Sequence, residues 1–161
     1  MTIDQFNKSV DLYSDNLYRF ILKSIKDEEK AKDVVQDSFE KLWLKIETVS
    51  NEKVKSYLFS TAYHTLIDLT RQDKRMTTLE KVNEEVQFHN EQFTDLNEIL
   101  HKALNLLPEI QRSVVLLRDY EGYTYEEIGE IAGLNESQVK VYIFRARAFL
   151  KTYIGSLEMV I

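Results

Sequence analysis

Four cations crowd one short stretch near the C-terminus: Lys140, Arg145, Arg147 and Lys151, with Glu136 the single acid among them. Four cations against one acid give a local +3 in a chain whose formal net charge is −6. On a helix, this is chemistry for a polyanion: cations meet phosphates while residues of the helix N-terminus reach base edges in a major groove. The competing reading is the solvated outer face of a bundle helix.

A second group couples aromatic and basic side chains, Tyr57, Phe59 and Tyr63 followed by Arg71, Lys74 and Arg75. Positions 57 and 59 lie about 200° apart around a helix axis, so the three rings cannot all face inward. Exposed rings beside cations suit unpaired bases, which stack on them. The alternative is a cationic helix end held by its dipole. A third set, Asp33, Gln36, Asp37 and Glu40, recurs every three or four residues and makes one polar ridge beside Phe39 and Trp43. That ridge is either a solvated face over a core tryptophan or a docking surface with an aromatic anchor.

Catalytic chemistry finds no comparable support. The chain has no cysteine, which excludes thiolate zinc sites, disulfides and thiol nucleophiles. His64, His89 and His101 lack ligand spacing, Glu126 and Glu127 are explained by helix capping, and no phosphate-cradling glycine loop or nucleophile motif occurs. The expectation is a non-enzyme without metal or cofactor.

The elements that must position these groups are helices. Only 4 glycines and 1 proline occur in 161 residues, and neither type precedes Pro108. Apolar residues recur at helical spacing from Ile3 to Ile25, from Ala31 to Ile46 and from Val54 to Leu69, predicting helices over about 3–25, 27–48 and 54–71. Residues 78–95 carry five acids against one lysine and lose the pattern, which predicts an acidic linker with some docking of its apolar residues. Periodicity returns at Leu96; Pro108 suits the first position of a new helix and Gly122 its end. Thr124 with Glu127, and Asn135 with Gln138, read as two capping boxes flanking the turn Ala132-Gly133-Leu134. A short helix, a glycine turn and a helix of about fifteen residues describe a helix-turn-helix. The expected fold class is all-α: two small helical domains, 1–77 and 96–161, joined by the linker 78–95, the second a helix-turn-helix. No apolar run is long enough for a membrane span and the N-terminus lacks a secretory pattern, so a soluble intracellular chain without direct membrane insertion is expected.

The stretch LPEIQRSVVLLRDYEGYTYEEIGEIAGLNESQVKVYIFRARAFLK, 107–151, closely resembles region 4 of bacterial RNA polymerase sigma factors of the extracytoplasmic-function group. Leu107-Pro108, Arg112, Glu121-Gly122, Tyr125 to Ile128, Val139-Lys140 and Arg145-Ala146-Arg147 carry the likeness. AKDVVQDSFEKLWLKI, 31–46, is similar to the family's core-polymerase-binding helix, and SYLFSTAYHTLIDLTRQDKR, 56–75, to its −10 recognition and melting segment.

The resemblance implies a transcription initiation factor, cytoplasmic and bacterial. Asp33, Gln36, Asp37, Phe39, Glu40 and Trp43 would bind the clamp helices of core RNA polymerase, and the second domain would touch the β flap. Tyr57, Phe59, Tyr63, His64, Arg71, Lys74 and Arg75 would meet the −10 element. Glu136, Ser137, Gln138, Lys140, Val141, Arg145, Arg147 and Lys151 would meet the −35 element. It further implies an anti-sigma factor as partner. The acidic linker, with Glu80, Glu84, Glu85, Glu91 and Asp95, would mimic nucleic acid in a polymerase channel. Two departures stand out: Tyr63-His64 replaces the family's usual Arg-Asn, so promoter preference does not transfer there. Tyr142-Ile143 replaces a small and basic pair, removing one phosphate contact. The rival readings are a stand-alone helix-turn-helix regulator, which leaves 31–46 and 57–75 without a task, and a helical adaptor or decoy that binds no DNA.

Overall fold

The computed structural model describes residues 1–79 and 95–158, with side chains described except at 73–79, 95–96 and 157–158. The acidic stretch 80–94, with Glu80, Glu84, Glu85 and Glu91, lies outside the described residues. So do the side chains of Lys74, Arg75 and Asp95.

Among the described residues every regular element is helical. Helix α1 spans Ile3–Ile25, α2 Glu28–Leu44, α3 Val54–Leu79, α4 Asp95–Leu106, α5 Glu109–Val115, α6 Tyr125–Ala132 and α7 Glu136–Glu158. Local chemistry sets their ends. Thr2 and Gln5 form a reciprocal capping box ahead of α1. Lys26 closes α1 in the left-handed region at φ 56. Asp27 then caps α2 by accepting from the Lys30 N–H.

Helix α2 stops earlier than the periodicity suggests. The N-terminal ammonium of Met1 donates to the Ile46 carbonyl at 2.8 Å, and tighter turns replace the α ladder over residues 45–49. Helices α3 and α7 run longer than expected, since nothing in their sequences breaks them at residues 71 or 151. Pro108 is the residue before α5 rather than its first, in extended backbone that a proline prefers.

Helix α5 continues into a widened turn over Leu116–Tyr120, where the Glu121 N–H donates to the Leu116 carbonyl five residues back. Gly122 comes next at φ +74, a conformation that glycine adopts without strain.

Helices α1, α2 and α3 pack on one another, as do α4 to α7, and helix α6 lies against α3. The interiors of the two halves are therefore continuous. Leu17, Phe20, Ile21, Leu58 and Phe59 belong to the same apolar cluster as Leu104, Leu116, Tyr123 and Ile128. Two buried hydroxyls donate locally, Ser24 to the Phe20 carbonyl and Ser38 to the Val34 carbonyl, which satisfies them without cross-links.

Candidate polymerase and promoter surfaces

The outward face of α2 presents Asp33, Gln36, Asp37 and Glu40 on one side, as the spacing of three and four requires. Asp37 pairs with Lys41 at 2.9 Å, and Gln36 donates to Glu40. Trp43 is not a core residue: it stays 46% exposed. Its inner edge meets Phe6 of α1 at 5.1 Å in a T-shaped contact, and Phe6 meets the buried Phe39 in the same way. Phe6, Phe39, Trp43 and Leu44 line an apolar hollow of about 450 Å³, rimmed by Gln36 and Glu40. An apolar hollow with an exposed tryptophan and a polar rim has the build of a protein-binding surface. Phe6 and Leu44 escaped the sequence reading. Helix periodicity on α2 alone cannot show that a residue from α1 completes the hollow.

The aromatic and basic segment of α3 differs from expectation. Phe59 is fully buried, between Phe20 at 5.8 Å and Tyr123 at 5.0 Å. Tyr63 is 2% exposed, its hydroxyl pushed up to about 12 by burial, with Glu109 and Tyr142 of the second half adding to the shift. Tyr57 is half-buried, while His64 and Arg71 are exposed. The expectation of exposed rings is thus corrected for Phe59 and Tyr63. The physical reason is tertiary: the second half of the chain covers that side of α3, which a single-helix wheel does not contain.

The helix-turn-helix forms as its capping pattern suggests. Thr124 and Glu127 bond reciprocally, and so do Asn135 and Gln138, at 2.8 and 3.0 Å. Gly133 closes α6 at φ +71. Gly129 is set by a close approach: a Cβ there would lie 2.6 Å from the Leu134 carbonyl oxygen, so α6 and the turn touch backbone to backbone. Val139, Ile143 and Ala146 fix α7 to the core.

The opposite face of α7 carries Ser137, Lys140, Val141 and Arg145, with Lys151 further along, all exposed. Two expected reading residues are already engaged: Gln138 in its cap, and Arg147 in a bidentate contact with Asp119 that raises its pKa. Glu136 pairs with Lys140 at 3.5 Å. Phe144, 73% exposed, stands on the same outward face and is not among the residues that the sequence pattern singles out. No group of three or more metal-ligating side chains occurs among the described residues.

The fold thus carries two separate surfaces, an apolar hollow with a polar rim on α1 and α2 and a basic outward face on a helix-turn-helix. Family models for sigma-70 region 2 and sigma-70 region 4 match residues 10–76 and 97–150. The RNA polymerase sigma factor SigV of Bacillus subtilis is 31% identical over 144 residues, covering 86% of this chain and 84% of that protein. The ECF RNA polymerase sigma factor SigM of the same organism is 30% identical over 157 residues, 94% of each. The sigma factor RpoE of Bartonella quintana, solved in complex with the anti-sigma factor NepR, superposes with a TM-score of 0.79 at 26% identity, covering 95% of this chain and 98% of that one. The chain belongs to the sigma-70 family, in its extracytoplasmic-function group, and is a sigma factor for transcription initiation. No described helix is long and apolar enough to cross a membrane.

Proposed function

We propose that the chain docks on the clamp helices of core RNA polymerase through Asp33, Gln36, Asp37, Phe39, Glu40 and Trp43, with Phe6 and Leu44 completing the hollow. The half-exposed Trp43 over an apolar floor is the observation that carries this, because a solvated face has no use for it. In the working division, residues 1–77 serve the polymerase and the −10 element, 78–95 link, and 96–161 read the −35 element and touch the β flap. On α7, Lys140, Arg145 and Lys151 take phosphates, while Ser137, Val141 and Phe144 face base edges. Glu136, Gln138 and Arg147 contribute by shaping the helix start and holding α7 to Asp119.

The −10 role of Tyr57, Phe59, Tyr63, His64, Arg71, Lys74 and Arg75 requires the halves to separate first, since Phe59 and Tyr63 are covered. The protein acts in the cytoplasm, catalyses no reaction of its own and is held in check by an anti-sigma factor, in keeping with the RpoE–NepR pairing of its structural relative. The test is binding of labelled chain to sigma-free core polymerase, followed by promoter selection from a random duplex pool. Asp37→Arg abolishes polymerase binding. Arg145→Ala spares it, weakens duplex binding by the holoenzyme and lowers the salt slope by about 1. Polymerase binding indifferent to Asp37→Arg refutes the assignment of this face.

A further inference from the structure

Three ion pairs that bridge the two halves share one polarity. Arg19 pairs with Glu121 at 2.7 Å, Lys55 with Glu127 at 3.2 Å and Lys53 with Glu130 at 3.9 Å. In every one of these the cation belongs to the α1–α3 half and the carboxylate to the helix-turn-helix half. Ser56 adds a hydroxyl bond to Glu130. Lys23 lies over the Tyr120 ring at 3.5 Å, and Lys55 over the Tyr123 ring at 4.0 Å.

Arg19 grips Glu121 with Nε and Nη2 together, the bidentate geometry a guanidinium also offers a phosphate. The Glu121 side chain is 2% exposed, so the pair closes over it. Beneath the Tyr123 ring sits Phe59, on the helix proposed above for promoter opening. The half that carries this helix is thus covered by a face that presents carboxylates to its cations.

We propose that Arg19, Lys53 and Lys55 form a phosphate-binding strip for promoter DNA, and that Glu121, Glu127 and Glu130 occupy that strip in the free chain as an internal stand-in for phosphate. The closed packing is then self-inhibiting: the helix-turn-helix half blocks the N-terminal half from DNA until the two separate. The strip is outside the residues assigned above to promoter contact, and the proposal rests on the sigma-factor reading. The two lysine pairs are partly exposed on both sides and individually weak, so salt loosens them, while the bidentate Arg19–Glu121 pair, its carboxylate buried, is the firm point of the latch.

Two full-length variants break the same two pairs from opposite sides: Glu121→Gln/Glu130→Gln and Arg19→Gln/Lys53→Gln. The chain has no cysteine, so Lys8→Cys and Thr152→Cys accept a dye pair that reports separation of the halves. Circular dichroism checks that each variant stays helical, and the salt dependence of the wild-type dye signal gives a mutation-free readout.

Both variants and high salt should open the chain. Binding to a fluorescein-labelled single strand of mixed sequence should then split them. Freeing Arg19 and Lys53 steepens the slope of log K against log salt by roughly 1.4, at about 0.7 per phosphate. Removing those cations leaves the slope at or below the wild-type value.

Equal behaviour of the two variants toward the strand overturns the strip, and folded variants that stay closed overturn the latch. Polymerase binding is measured alongside. A wild-type chain that fails to bind polymerase removes the functional reading and the proposal together, whereas normal polymerase binding with indistinguishable variants removes the proposal alone.

Discussion

Truncating Trp43 to alanine separates docking from folding, because the side chain is split between the two. A tryptophan contributes up to about 250 Å², and Trp43 leaves 46% of its surface to solvent, so roughly 115 Å² is available to a partner. At about 25 cal/mol per Å², full coverage of that area is worth about 3 kcal/mol, or a factor of about 100 in affinity. Partial coverage brings the expected loss to between about tenfold and a hundredfold. The inner part rests on Phe6, and its loss costs about 1–2 kcal/mol of stability, since the hollow opens to water instead of leaving a sealed void. Equilibrium binding to core polymerase, read by anisotropy of a labelled chain, gives the first quantity, and urea unfolding gives the second. Leu12→Ala is the control: Leu12 is exposed on α1 outside the hollow, and its truncation leaves polymerase affinity unchanged. A folded Trp43→Ala chain that loses less than about threefold, which is under 1 kcal/mol, refutes the reasoning.

Other substitutions test the packing of the halves and the reading head. Phe59→Ala empties a fully buried site between Phe20 and Tyr123 and should cost about 3–5 kcal/mol in chemical denaturation. Gly129→Ala drives a methyl against the Leu134 carbonyl oxygen; about 1–3 kcal/mol of stability and much of the holoenzyme's duplex affinity should go with it. Tyr63 has its hydroxyl raised from 10.0 to about 12 by burial. An acid raised on folding favours the folded state while neutral, so its contribution is intact below pH 10.0 and is lost as pH rises toward about 12. Melting curves across that window should show a smaller alkaline loss in Tyr63→Phe than in the wild type.

Local sequence carried most of the helix-turn-helix. The pairs Thr124–Glu127 and Asn135–Gln138, with Gly133 between them, act within a few residues of themselves, so spacing alone specifies the geometry that they adopt. The absence of glycine and proline before Pro108 made the helical class legible for the same reason. What spacing could not carry was contact between segments far apart in sequence. Phe6 completes the hollow under Trp43 from another helix, and Phe59 and Tyr63 are covered by side chains about 60 and 50 residues downstream. A helical wheel assigns such rings to a face; only the partner decides whether that face is wet. Arg147 makes the same point for charge, since its engagement by Asp119 depends on the turn that extends α5.

That turn makes chain length itself a structural variable. Over Leu116–Tyr120 the backbone takes one residue more than an α-helical turn, and three successive side chains go to separate addresses: Asp119 to Arg147, Tyr120 to Lys23 and Glu121 to Arg19. Deleting a single codon there would restore ordinary helical phase and swing the downstream residues by about 100°. The grip on α1 would be lost, although no residue of α6 or α7 had changed. One residue of chain length at this turn therefore sets the phase of three long-range contacts at once, a coupling that no single substitution in α6 or α7 reproduces.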